Sequence, residues 1–420
     1  MSLQIFPSHS PGWMPAVPFA GGATAGTSAY DADAITIEIH DLAAQGGLDL
    51  SDHLVGHAWL RPGTVFQHRS MMRACAEKAW LNGHTAIVAA VRRGGALETI
   101  WPLKIKRELG VTIATDLASP IAQYSEVIGE PVTPDMLTEI GARLRKLYAI
   151  DVILARNVRG DSGLAFAFGA AGESVVARSV APFVDLSGFR DHADYISQFS
   201  KSSNRNWRQR RQKLEADHGR LTFEMIRGPQ SQPMLRLALD WKRDWLDANG
   251  LSSRVFDRGV SEAALIAVCA DPCVCISVLS VSARPVAIEM GFLSGGHYAA
   301  YLGAFDPEFA GYSVGQEQML RTIEWCMQQG IGRYDLLPPT ADYKTGWSRG
   351  QAPVPVADHC LALTPLGQLY MLLLRHGKSN ARRLIAALPG PLRRNLLRHG
   401  KIIVGGALTA TAITGLMLEV

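Results

Sequence analysis

Residues 298–350 read YAAYLGAFDPEFAGYSVGQEQMLRTIEWCMQQGIGRYDLLPPTADYKTGWSRG. The aromatic and apolar run Tyr298 to Phe305 predicts a buried strand. Ser313, with Gln316 three residues on, has the pattern of a capping box. Met319, Leu320, Ile323, Cys326 and Met327 then recur at helical spacing, and Gly330 marks the stop. Arg333 to Leu337 follows as a second short strand, ended by Pro338 and Pro339. The order is strand, loop, helix, strand, then a polar loop holding Tyr343, Lys344 and Trp347. A helix N-terminus leaves backbone amides without partners, and Gly315 in the first turn lets a ligand come close to them, so the terminus suits an anion. An ordinary strand–helix packing unit reads the same way, and both readings stay open on these residues alone.

Upstream, Ile276 to Val281, Val286 to Leu293 and Tyr298 to Phe305 predict an antiparallel meander, with turns at Ala283-Arg284-Pro285 and Ser294-Gly295-Gly296. Helices are expected over Ala264 to Cys269 and over Pro233 to Asn249, the latter with Trp241 and Trp245 on one face. Tyr195 to Gly219 is the most basic helix, carrying Lys201, Arg205, Arg208, Arg210, Arg211 and Lys213 around Trp207. It suits phosphates, a solvated face, a CoA 3′-phosphate or an anionic acceptor.

Toward the N-terminus, strands are expected from Ile35 and at Thr85 to Val91, Glu98 to Lys106 and Ile150 to Asn157. Pro102 argues for an edge or a bulge. Helices are expected over Phe66 to Trp80 and Asp135 to Tyr148, and short extended pieces over Gly163 to Gly169 and Ser174 to Val180. Residues 1–34 are rich in Pro, Gly, Ala, Ser and Thr in their greater part, and read as a disordered leader without a signal peptide.

At 420 residues the chain is long enough for two domains. Hydrophobic residues make up 47% and charged ones 19%, the balance of a soluble globular protein. A net charge of +4 gives no reason to expect DNA as a partner. The six cysteines form no CxxC pair and have no histidine cluster, so no metal is expected and a reduced, cytoplasmic setting is. From His359 to Leu418 there is no acidic residue. Arg375, Lys378, Arg382, Arg383, Arg393, Arg394, Arg398 and Lys401 precede the uncharged run Ile402 to Leu418. As a helix that run would fall short of a hydrocarbon core of about 30 Å. Association with an anionic leaflet at the inner membrane is easier to support than a full span, and a packed or mobile tail stays open beside it.

The stretch around Gly315 resembles the GNAT superfamily. More closely, it resembles the CelD/BcsL-type branch associated with cellulose and exopolysaccharide synthesis, and the related FemAB-type transferases. The pattern is carried by Asp306, Gly315, Asp335, Tyr343-Lys344 and Trp347. The loop departs from the family's phosphate loop, with Ala310 and Ser313 at its first two defined positions. The resemblance implies an α/β (α+β) fold of tandem GNAT-like units, mixed sheets flanked by helices. The units expected are 35–180 and 181–358, followed by a basic tail 359–420. Acyl-CoA or acetyl-CoA is the implied co-substrate, held by Tyr312, Ser313, Val314, Gly315 and Gln316. Tyr343 would protonate the leaving group and Lys344 would stabilise an oxyanion or hold a donor phosphate. Trp347 would wall the site, and Tyr124, from a Tyr-Ser-Glu stretch that resembles the family's Tyr-x-Asp loop, would meet the acceptor. On its own residues that loop reads as a surface loop with a packed tyrosine.

Glu289 lies in the apolar strand VAIEMGFL. A carboxylate there needs a partner or a raised pKa, and a raised pKa suits a general base. A water-facing edge position is the alternative. The function expected is acyl transfer to an amine or hydroxyl of a sugar, polysaccharide precursor or other small molecule. A FemAB-type aminoacyltransferase and a non-catalytic partner in a polysaccharide assembly are the competing readings.

Overall fold

The computed structural model describes residues 34–42, 64–172, 174–251, 253, 255–256 and 259–386. The expected leader up to residue 33, and the tail beyond residue 386 with the run 402–418, lie outside the described residues.

The first sheet begins as an antiparallel meander of β1 (Ile35–Asp41), β2 (Thr85–Arg93), β3 (Ala96–Glu108) and β4 (Val111–Asp116). Helix α1 (Arg69–Leu81) precedes β2 and buries Met71, Met72, Ala74, Cys75 and Ala79 while Trp80 faces outward. A two-residue strand, β5 (Ile128–Gly129), pairs with β3. After β5 the chain forms α2 (Pro134–Tyr148) and returns as β6 (Val152–Arg159), which pairs in parallel with β4. Pro102 is not at an edge, because β3 lies between β2 and β4. Its carbonyl accepts from Leu117 N, just past the end of the β4 pairing, so its missing N–H faces the gap between β4 and β5 and breaks no ladder bond.

Residues expected to be extended at Gly163 form α3 (Gly163–Ala170) instead. Ser162 Oγ caps it by accepting from Ala165 N at 3.2 Å, and the stretch contains no β-branched residue. Strand β7 (Val175–Ala181) follows.

The second sheet is built from β8 (Phe183–Asp185), β9 (Leu221–Ile226), β10 (Val274–Val281), β11 (Arg284–Ser294), β12 (His297–Phe305) and β13 (Arg333–Asp335), in the order β8-β13-β12-β11-β10-β9. The basic segment is two helices rather than one, α4 (His192–Ser197) and α5 (Lys201–His218). Ser200 restarts the helix by accepting from Ser203 N at 3.1 Å. Helices α6 (Gln232–Ala248) and α7 (Val260–Val268) precede the meander, and α8 (Val314–Gln328) links β12 to β13. The stretch expected as a polar loop is a short helix, α9 (Asp342–Ser348).

The chain then returns to the first sheet. Strand β14 (Val354–Ala362) inserts between β6 and β7, and α10 (Pro365–Ala386) lays Tyr370 and Leu374 on that sheet. The boundary expected between residues 358 and 359 therefore falls inside a strand. The result is a mixed α/β protein with two mixed sheets flanked by helices. One apolar cluster spans both sheets: the Phe66 ring meets Phe292 at 5.5 Å and Tyr301 at 6.0 Å.

Candidate functional site

In the second sheet all strand pairs are antiparallel except β12 with β13. That parallel junction is short. His297, Tyr298 and Ala299 pair with Arg333, Tyr334 and Asp335, and beyond these residues no ladder joins the two strands. Helix α8 begins beyond the far end of β12. An opening at the carboxyl ends of parallel strands, close to a helix N-terminus, is where open α/β sheets receive ligands.

The terminus differs in detail from the sequence expectation. Ser313 is the N-cap residue but sits in the left-handed region (φ 57°), and its side chain caps nothing, so the capping box is not formed. Gln316 N and Glu317 N donate to Ser313 O, while the amides of Val314 and Gly315 come ahead of these bonds. A Cβ on Gly315 would lie 3.4 Å from Phe305 Cδ1, an ordinary contact. Glycine is thus not what opens the terminus, because the missing side chain would point toward Phe305. Tyr312 donates to Asp217 Oδ2 at 2.7 Å, which ties the preceding turn to the end of α5. Lys213 Nζ stands 5.1 Å over the Tyr312 ring and pairs with Asp217.

The basic helix is therefore anchored, not merely solvated. Arg211 pairs with the buried Glu317 at 3.2 Å, and Leu214 is buried. Trp207 stacks on Trp347 at 5.5 Å. Trp347 is itself buried, touches Phe199, and accepts from Tyr195 Oη through its carbonyl. It fastens α5 to α9 and presents no open face to a ligand.

Glu289 lies on β11, a central strand, and is 5% exposed, which removes the edge reading. Tyr298 Oη donates to its Oε1 at 3.0 Å, and Tyr334 Oη donates to Oε2 at 2.8 Å. Burial pushes the carboxyl up to about 7 against the pull of these two hydroxyls. The two rings stack at 5.3 Å. The Tyr298 ring occupies the space a Cβ on Gly291 would need, 2.1 Å from its Cζ, so Gly291 is what lets the ring reach Glu289.

Tyr343 is 59% exposed on α9; desolvation, and after it the charge of Glu289, raises its pKa. Lys344 Nζ donates to the carbonyls of Leu337 and Pro339, both at 2.9 Å, and burial lowers its pKa to about 8. An ammonium has three donors, so one N–H remains for a substrate.

Tyr124 belongs to neither a surface nor an open cleft. It is 3% exposed, and its hydroxyl donates to both oxygens of Asp335 at 3.0 Å. Asp335 also accepts from Leu337 N at 2.8 Å and faces Arg159 Nη1 at 3.4 Å. Arg159, Arg333, Tyr298 and Tyr334 were missed, because their contacts run between paired strands or between the units and leave no periodic mark on the chain.

Among the described residues, His68, Asp271 and Cys273 bring one potential metal-ligating atom each within 4.8 Å of one another. Asp271 already holds His68 Nδ1 at 3.1 Å and accepts from Cys273 N at 2.8 Å, so the cluster is satisfied as it stands.

Residues 201–345 match the family model described as Acetyltransferase (GNAT) domain. FemX has a similar fold, at 12% identity and a TM-score of 0.53, over 76% of this chain and 98% of that one. A tandem GNAT protein from the clavulanic acid biosynthesis pathway is similar at 12% identity and a TM-score of 0.42, over 79% of this chain and 99% of that one. The C-terminal domain of a putative lysylphosphatidylglycerol synthetase from Agrobacterium fabrum is similar at 13% identity and a TM-score of 0.44, over 66% of this chain and 84% of that one. No curated protein sequence matches. The second sheet with its helices thus carries an acyltransferase domain of the GNAT fold, and α5 through the start of α9 lie within the match.

Proposed function

We propose that the chain transfers an acyl group from acyl-CoA to an amine or hydroxyl of an acceptor bound between its two units. A sugar or polysaccharide precursor is the acceptor class suggested by the CelD/BcsL-type resemblance. The observation that carries the reading is the parting of β12 from β13 after Ala299 and Asp335, with the uncapped N-terminus of α8 beyond the far end of β12. The donor pyrophosphate would accept from the amides of Val314 and Gly315, with Gln316 beside them and Lys213 as the neighbouring cation.

The acyl carbon would then sit in the opening near Leu337. Lys344, whose ammonium two carbonyls already orient, would donate its remaining N–H to the oxyanion of the tetrahedral intermediate. Tyr343 would return a proton to the leaving thiolate. Glu289 and both of its tyrosines are closed to solvent, so the carboxyl, pushed up to about 7, would support the site from beneath and would not itself take the acceptor's proton, which would pass to solvent. Tyr124 would bear on the acceptor by holding Asp335, and Trp347 by holding α9 in place.

The test is calorimetric titration of acetyl-CoA into the full chain and into Gln316→Glu. Gln316 is exposed in the first turn of α8, so the variant adds negative charge there without a clash. Loss of affinity supports the donor site, and equal affinity, or no binding by the parent, defeats it.

The FemX likeness favours a second reading, FemAB-type aminoacyl transfer, since it covers 98% of that chain. Transfer from a charged tRNA in the absence of any acyl-CoA would establish it.

A further inference from the structure

On the face of β13 turned toward the first unit, two guanidinium groups lie together, and they are satisfied very differently. Arg159, the last residue of β6, gives its Nε and Nη2 to the two oxygens of Asp161 at 2.9 and 2.8 Å, and its Nη1 reaches Asp335 at 3.4 Å. Arg333, the first residue of β13, has both Nε and Nη2 buried with no hydrogen-bond partner. Its guanidinium carbon lies 3.6 Å over the Phe183 ring, which covers one face and leaves the edge as the polar side. The acids within reach are already used: Asp161 by Arg159, and Asp335 by Tyr124, Leu337 N and Arg159.

A buried donor without an acceptor is destabilising, and more so when it is charged. The Nε–Nη2 edge is also the one that grips two oxygens of a planar acid side by side, as Arg159 shows in the same cluster. We propose that this edge of Arg333 binds a carboxylate or phosphate group of the acceptor. The site lies at the seam between the units, two residues before Asp335. It rests on the reading that the acceptor enters between the units, and it names that acceptor's chemistry: it carries an anionic group as well as the nucleophile that receives the acyl group. Because both nitrogens are out of contact with water, the anion and the guanidinium would be desolvated together, which favours a close two-point pair over a loose one.

Equilibrium dialysis of the full chain against inorganic phosphate, and separately against acetate, at constant ionic strength tests this. It is run for the parent, Arg333→Gln and Arg333→Lys. The parent is expected to bind one more anion than Arg333→Gln, and Arg333→Lys, which keeps the charge but not the two-point edge, to bind at least tenfold more weakly than the parent. Preference for phosphate over acetate identifies a phosphate-bearing acceptor, and the reverse a carboxylate-bearing one. Equal binding of both anions by the parent and Arg333→Gln overturns the proposal, as does a folded Arg333→Lys that binds like the parent. Acetyl-CoA titration of the same proteins separates the two readings. A parent that binds no acetyl-CoA but loses an anion site on Arg333→Gln would sink the donor assignment and keep this one. Acetyl-CoA binding with no Arg333-dependent anion would do the opposite.

Discussion

Each unit runs from an antiparallel meander through a helix to a strand parallel to the last of the meander, yet the two junctions are finished differently. In the first unit β4 and β6 part beyond Thr115 and Leu154, and the loop between them closes the gap. Ser125 N donates to Arg156 O, Arg156 N donates back to Ser125 Oγ, and Ser125 Oγ donates to Asp116. The helix that follows is capped by Thr133, whose Oγ1 accepts from Met136 N at 3.2 Å, with Pro134 in its first turn. In the second unit the corresponding helix has no side-chain cap, and its loop is pulled toward the end of α5 by Tyr312 and held near β11 by Arg284 on Asp306. One junction is stitched shut by short polar bonds. The other leaves the first amides of its helix without a side-chain cap, so shared architecture does not bring the same polar finish.

The buried carboxylates sharpen the contrast. Asp116 has a hydroxyl and the Trp101 indole N–H as partners and is pushed up to about 6, while Glu289 has two tyrosines and is pushed up to about 7. For Glu289 the folded value lies above the ordinary 4.5, so the folded state holds the proton more tightly. Stability is then unpenalised below pH 4.5, falls as pH rises through 7, and stays lower above it. The parent is expected to lose about 3 kcal/mol relative to Glu289→Gln between pH 4.5 and 8. Urea unfolding at a series of pH values measures this, and parallel curves for the two proteins would mean Glu289 does not ionise in that window.

A smaller effect belongs to the stitched junction. Ser125→Ala strips Arg156 N and Asp116 of a buried partner and should cost about 2 kcal/mol of stability while leaving acetyl-CoA affinity unchanged. A change in that affinity would place the donor in the first unit and break the comparison.

Next is the open helix terminus. Gln316→Glu should weaken acetyl-CoA binding about fivefold, the scale of a single charge at a helix end. Gly315→Ala should leave it within twofold, since the added methyl meets only Phe305. Calorimetry reads both, and the opposite ranking would restore the view that glycine makes the site.

The smallest shift is expected at the capped helix. Thr133→Ala should cost about 1 kcal/mol in thermal unfolding with no effect on donor binding.

Much of this was legible in the chain. Period-two and helical patterns located the meander β10–β12, α6, α8 and both parallel strands, because burial on one face imposes those periods on the side chains. The pattern around Gly315 pointed to the right superfamily. It failed where a local signal was absent or had two meanings. GLAFAFGA is apolar on all sides, so its period could not separate a helix from a strand. Ser313 and Gln316 have the letters of a capping box, but the turn before them puts Ser313 in the left-handed region.

Composition and periodicity thus determined the second strand–helix–strand unit and, of the first, β2, β3, α2 and β6 but not β4, because those choices depend on neighbours a few residues apart. Only the tertiary structure decided what the polar residues do. Tyr124 and Asp335 meet across the two units, and β14 returns from the C-terminal side to complete the first sheet. Glu289 acquires its tyrosines, and Arg333 is left with a buried edge that no acceptor meets, only once the sheets are assembled. A buried charge takes its character from whatever packing brings beside it, and no spacing along the chain records that.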